Sequence, residues 1–85
     1  MEDAYFDGEK YYPIIHTYYG DDEYADRKSI VINKEDTFCV VMIEDGKIKE
    51  ERVLDGYSEV YAEDCAENFV IGIIDWQKQK NSVLQ

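Results

Sequence analysis

The stretch SEVYAEDCAENFVIGIIDWQKQK, residues 58–80, decides how this chain folds. Ala62, Cys65, Ala66, Phe69, Val70, Ile73, Trp76 and Gln77 recur in it at the three- and four-residue steps that line one face of a helix, and that face is almost wholly apolar. Ser58 is placed to cap the first turn. Glu59, Glu63 and Asp64 fall near the positive end of the helix dipole, and Lys78 and Lys80 near the negative end. The pattern predicts one amphipathic helix from Ser58 to Lys80, about 30 Å long and enough to cross a small sheet.

Upstream the apolar period changes from helical to extended. Thr37 to Ile43 is short, β-branched and apolar on both faces, as a central strand is. Asp45-Gly46 marks a tight turn, after which Lys47 to Leu54 returns as a more polar strand. Ser29 to Asn33 forms another strand candidate, joined to the central one through Lys34-Glu35-Asp36. Tyr11 to Tyr19 reads as extended too. Pro13 cannot donate to a sheet ladder, so this strand belongs at an edge or a bulge, and Gly20-Asp21-Asp22 closes it. The order predicts an α+β fold: a small antiparallel β-meander of three to four strands with one C-terminal amphipathic helix packed across one face. At 85 residues, positions 1–85 are expected to form a single domain.

Composition narrows the functional classes. Asp and Glu number 20 against 9 Lys and Arg, a formal charge of −11, while 45% of residues are hydrophobic and 14% aromatic. That is too much apolar surface for a disordered acidic tail. The charge argues against direct contact with nucleic acid or an anionic membrane, both of which demand a basic footprint. The acidic start Met1-Glu2-Asp3-Ala4 lacks the basic and apolar regions of a leader, and no apolar run approaches the roughly 20 residues of a membrane span. A soluble, cytoplasmic protein is expected.

Catalytic chemistry is hard to find. The only histidine, His16, sits in the strand-like Ile15-His16-Thr17 and reads as a half-exposed structural residue. No nucleophile elbow, phosphate-cradling loop or zinc-protease motif occurs. Cys39 and Cys65 lie in apolar surroundings and read as reduced, buried thiols. A disulfide between them, or a zinc site shared with His16, lacks any supporting spacing. Asp21-Asp22-Glu23 with Asp26 lacks the order of a calcium-binding EF-hand loop. Neither an enzyme nor a cofactor or metal is expected.

The charge map is more informative. Residues 1–26 carry −7, residues 27–54 are neutral, residues 55–75 carry −6, and the last ten carry +2. All eight tyrosines fall in the two acidic blocks. Tyrosine offers a large ring with a polar tip at low entropic cost, which suits a binding surface. Two groups of partner-binding candidates follow. On the predicted helix, Glu63, Asp64, Glu67 and Asp75 face outward around an exposed Ile71, with Glu59, Glu63 and Glu67 repeating about 6 Å apart. In the first block, Tyr18, Tyr19, Asp21, Asp22, Glu23 and Tyr24 form the second group.

In general character the chain resembles the small acidic inhibitors that phages direct against restriction or CRISPR nucleases. The likeness is one of composition and covers no motif. It implies a decoy whose carboxylates stand in for phosphates and whose partner is a basic nucleic-acid-binding effector or nuclease. The other expectation is a non-enzymatic regulatory or scaffolding module, in homodimeric form pairing through an exposed strand edge.

Overall fold

A computed structural model describes residues 4–76 of the protein. Five strands, β1 (Ala4–Phe6), β2 (Tyr11–Tyr19), β3 (Arg27–Lys34), β4 (Thr37–Glu44) and β5 (Lys47–Leu54), form one antiparallel sheet in the order β1-β2-β3-β4-β5. The helix α1 (Glu59–Val70) follows them and packs on β2, β3 and β4. The expected meander with a helix across one face is what forms, with one more strand than the sequence announces. That strand, β1, has only three residues and no alternation of its own; it pairs with Tyr11, Tyr12 and Pro13 of β2. Among the described residues, no helix is long and apolar enough to cross a membrane.

Side chains alternate between two cores, one on each face of the sheet. Val31, Val40 and Met42 meet Ala62, Cys65, Ala66, Phe69 and Val70 beneath the helix. Ile30, Ile32, Cys39 and Val41 point the other way, toward Tyr12 and, at the margin, Tyr5 and Ile14. The double burial explains why β4 is apolar throughout. The second face is sheltered by curling of the sheet itself: the Tyr5 hydroxyl on the first strand donates to the Glu51 carboxylate on the last. Cys39 and Cys65 therefore belong to cores on opposite faces and are free buried thiols, which rules out both a disulfide between them and a shared zinc site.

The helix is much shorter than its apolar period suggests. Ser58 caps it as expected, its hydroxyl accepting from the Tyr61 amide at 3.2 Å. Twelve residues later it ends at Val70, about 18 Å from its start. The amide of Gly72 bonds back to the Phe69 carbonyl at 3.2 Å, and the amide of Ile73 to the Asn68 carbonyl at 2.9 Å. With Gly72 at φ +85° this is a Schellman termination. Ile73, Trp76 and Asp75 are consequently not helical, while Gln77, Lys78 and Lys80 lie outside the described residues. Ile74 and Trp76 still join the helix-side core, but from a chain that has turned back over it.

One irregularity sets the orientation of β2. Ile14 pairs with Ile32, whereas His16 pairs with Val31, leaving Ile15 as an extra residue. Such a bulge shifts the alternation by one. Tyr12 and Ile14 face the second core, but His16 and Tyr18 face the helix. Pro13 sits beside this bulge, at the end of the stretch covered by β1, in keeping with the edge-or-bulge expectation.

Candidate functional site

The described structure brings part of the two acidic groups together. After β2, Gly20 leads into a short 3-10 turn, Asp22–Tyr24, capped by the Asp21 carboxylate, which accepts from the Asp22 amide at 3.0 Å. This turn lies against the end of α1. Asp21, Asp22, Glu23 and Tyr24 line a cleft of about 300 Å³ together with Val70 and Ile71. Ile71, the residue that caps the helix, is 52% exposed there. The reason for the contact is steric: a Cβ on Gly20 would lie 1.8 Å from the Tyr24 carbonyl oxygen, and one on Gly72 would lie 2.3 Å from the Tyr24 ring. Two glycines thus let the tyrosine slot between the turn and the helix end.

Glu67 lies one helical turn before Ile71 and extends the acidic surface along α1. Among the described residues, Asp21, Asp22, Glu23 and Glu67 form no ion pair with a lysine, arginine or histidine. Their charge is presented to solvent.

Other expected members are differently placed. Glu63 does not stand free: its Oε2 is 3.0 Å from His16 Nε2, and Glu59 Oε2 is 2.8 Å from the same nitrogen. The predicted row Glu59, Glu63, Glu67 therefore has two members gathered on one imidazole. Asp64 is exposed on the opposite flank of α1, in a depression with Arg52, Tyr61 and Asn68. Asp75, expected outward on a helix, is instead held at 3.2 Å by Arg27 and accepts from the Trp76 amide at 2.9 Å. Tyr18 packs half-buried against the helix-side core. Burial raises its hydroxyl above the ordinary tyrosine range, and the carboxylates of Glu63, Glu67, Asp64 and Glu59 push the same way.

Tyr19 points to the other face of the sheet, 70% exposed with the Lys28 ammonium 5.5 Å from its ring centre. There it borders an open concavity of about 750 Å³ with Phe6, Tyr11, Ile30 and Ile43. The rings of Phe6 and Tyr11 are in tilted contact, with centres 4.7 Å apart. Sequence alone gave no sign of this aromatic margin, because Phe6 belongs to the short strand β1 and meets Tyr11 only through strand pairing.

The sequence reading also passed over Arg27. This buried side chain donates to the Phe69 carbonyl at 2.8 Å and the Ile74 carbonyl at 3.3 Å, and its guanidinium lies 4.5 Å from the Phe69 ring centre and 5.0 Å from that of Tyr24. It holds the helix end, the 3-10 turn and the returning chain in one place, so it positions the cleft. An isolated arginine at the start of a strand carries no local signal of such a role. No protein-family model, curated protein or solved structure matches the chain.

Proposed function

We propose that the protein is a small acidic inhibitor that occupies the nucleic-acid groove of a basic protein, such as a restriction or CRISPR nuclease, and does so without catalysis. One arrangement carries the reading. Asp21, Asp22 and Glu23 converge with Ile71 on a single cleft, Glu67 continues the surface, and no internal cation neutralises these four carboxylates among the described residues. Clustered carboxylates replace phosphates for the partner's lysines and arginines. Exposed Ile71, rimmed by charge, supplies the apolar centre that electrostatics alone lacks. Opposite fields speed the encounter, and salt weakens it.

The test is DNA cleavage by a panel of restriction and CRISPR nucleases at increasing protein concentration. Inhibition of at least one nuclease is expected at low salt, fading by about 0.5 M, where the screening length is about 4 Å. The combined variant Asp22→Lys, Glu23→Lys, Glu67→Lys should abolish it while circular dichroism remains unchanged. Unaltered inhibition by that variant, or none by the wild type across the panel, defeats the reading.

One observation favours a second reading, a homodimeric scaffolding module. From Ile14 to Tyr19 the outer side of β2 pairs with no strand among the described residues, because β1 covers only Tyr11 to Pro13. Such an edge can add a strand from another copy. Light scattering that finds a monomer at millimolar concentration excludes it.

A further inference from the structure

His16, Glu59 and Glu63 form a cluster that the inhibitor reading does not use. His16 comes from β2 just after the bulge, and the two glutamates come from successive turns of α1. The ligand-bearing atoms of the three residues all lie within 4.8 Å of one another. We propose that His16 Nε2, Glu59 and Glu63 bind one divalent first-row transition-metal ion such as Zn²⁺, with water completing its coordination.

Geometry supports this first. His16 Nε2 is 2.8 Å from Glu59 Oε2 and 3.0 Å from Glu63 Oε2. An ion about 2.1 Å from two adjacent ligands separates them by about 3 Å at right angles and about 3.4 Å at the tetrahedral angle zinc favours, so carboxylate shifts of a few tenths of an ångström seat one ion between His16 and each glutamate. A hydrogen bond from the ring accounts for Glu59 and leaves Glu63 held by charge alone. Nε2 carries at most one proton, yet two carboxylate oxygens approach it. A cation held by the nitrogen lone pair satisfies all three groups together.

The donor set selects the class of ion. Two carboxylates and a neutral imidazole carry −2 and balance a divalent charge. Carboxylates alone suit Mg²⁺ or Ca²⁺, whereas an imidazole shifts preference toward Zn²⁺, Co²⁺ and their neighbours. Neither glutamate forms an ion pair with a lysine or arginine among the described residues, so the only internal competitor for the ion is the proton on His16 itself. The side chains of His16, Glu59 and Glu63 are 32%, 44% and 33% exposed, which shields one side of the ion and leaves the other open to water. Three protein ligands with open positions are the pattern of an accessible rather than a sealed metal site. Bound there, the ion clasps the free side of β2 to the first half of α1.

The test uses full-length, tag-free protein titrated with ZnCl₂ and CoCl₂ by calorimetry, with MgCl₂ and CaCl₂ as controls. One Zn²⁺ or Co²⁺ per chain is expected, with a raised thermal midpoint and no comparable effect of Mg²⁺ or Ca²⁺. His16→Gln should weaken binding on the order of 100-fold, since even loss of a residue supporting a metal ligand costs 10–100-fold. Glu59→Gln provides a second variant should the histidine substitution disturb folding. The Co²⁺ complex should show visible d–d bands without the near-ultraviolet charge-transfer band of a thiolate, which separates this site from one using Cys65. No binding at millimolar Zn²⁺ or Co²⁺, a thiolate band, or unchanged affinity in both variants overturns the proposal. The variant Asp22→Lys, Glu23→Lys alters the cleft and leaves α1 and all three ligands untouched, so it should bind metal normally, and failure of the inhibitor reading and failure of this one are distinguishable.

Discussion

The guanidinium of Arg27 meets the carboxylate of Asp75 at 3.2 Å, across 48 positions of sequence. The pair fastens the start of β3 to the chain beyond the helix, but its two members are unequal. The Arg27 side chain is 9% exposed and that of Asp75 is 51% exposed. Arg27 also serves the Phe69 and Ile74 carbonyls, whereas Asp75 is screened by water. Arg27→Met should therefore lower unfolding free energy by about 2–3 kcal/mol, the cost of stranding these acceptors. Asp75→Asn should cost under about 1 kcal/mol. Urea denaturation compares them, and equal losses would show that the exposed ion pair, not the carbonyl contacts, holds the helix end.

The glycines around Tyr24 provide a steric check. Gly72→Ala places a Cβ 2.3 Å from the Tyr24 ring in addition to the strain of φ +85°. Gly46→Ala meets nothing within 4 Å and bears only the strain of φ +76°. The Gly46 variant should lose about 1 kcal/mol, and the Gly72 variant clearly more. Thermal unfolding of the two side by side measures the difference, and equal loss would mean that Tyr24 does not lean on Gly72.

Burial pushes the Cys39 thiol up to about 11 from 9.0, with Glu51 acting in the same direction. The folded state keeps the proton where the unfolded chain releases it. This contribution to stability is complete below pH 9 and is lost as pH rises toward about 11. Cys39→Ala should flatten that part of the stability profile. Ellman's reagent at pH 8 should label neither Cys39 nor Cys65 in the native protein and both in urea, because each thiol is buried. Rapid labelling of the native protein would contradict the placement of both residues.

At the acid end Asp7 governs a local effect. Its carboxylate accepts from the amides of Lys10 and Glu9, both at 2.9 Å, and Lys34 lies 3.4 Å away. These contacts, the Lys10 amide foremost, hold its pKa below 3.8. Its stabilisation is present above that value and disappears as pH falls through the lower folded-state pKa. Asp7→Asn should reduce the loss of stability on acidification, measured by denaturation at pH 5 and pH 2.5. An unchanged difference would place the acid sensitivity elsewhere.

Much of the fold was legible because its signals are local. Tyr11–Tyr19 and Lys47–Leu54 are strands at the expected bounds, and Ser58 caps the helix. The helix end was misread although Gly72 announces it. Ile73 and Trp76 keep the helical apolar period, yet only Trp76 joins the core, and it does so from a returning chain. The candidate site was legible in composition but not in arrangement. Both acidic blocks carry exposed carboxylates, but Glu59 and Glu63 turn to His16 and Asp75 to Arg27.

The sequence by itself determined a sheet of alternating and continuous apolar strands followed by an amphipathic helix, since apolar periodicity and capping act between near neighbours. Only the tertiary structure decided where the polar groups meet. The extra residue at Ile15 turns His16 and Tyr18 toward the helix, and the long reach of Arg27 gathers segments far apart in sequence. Those outcomes depend on strand register and on burial of a charge among distant carbonyls, and neither leaves a repeating mark along the chain.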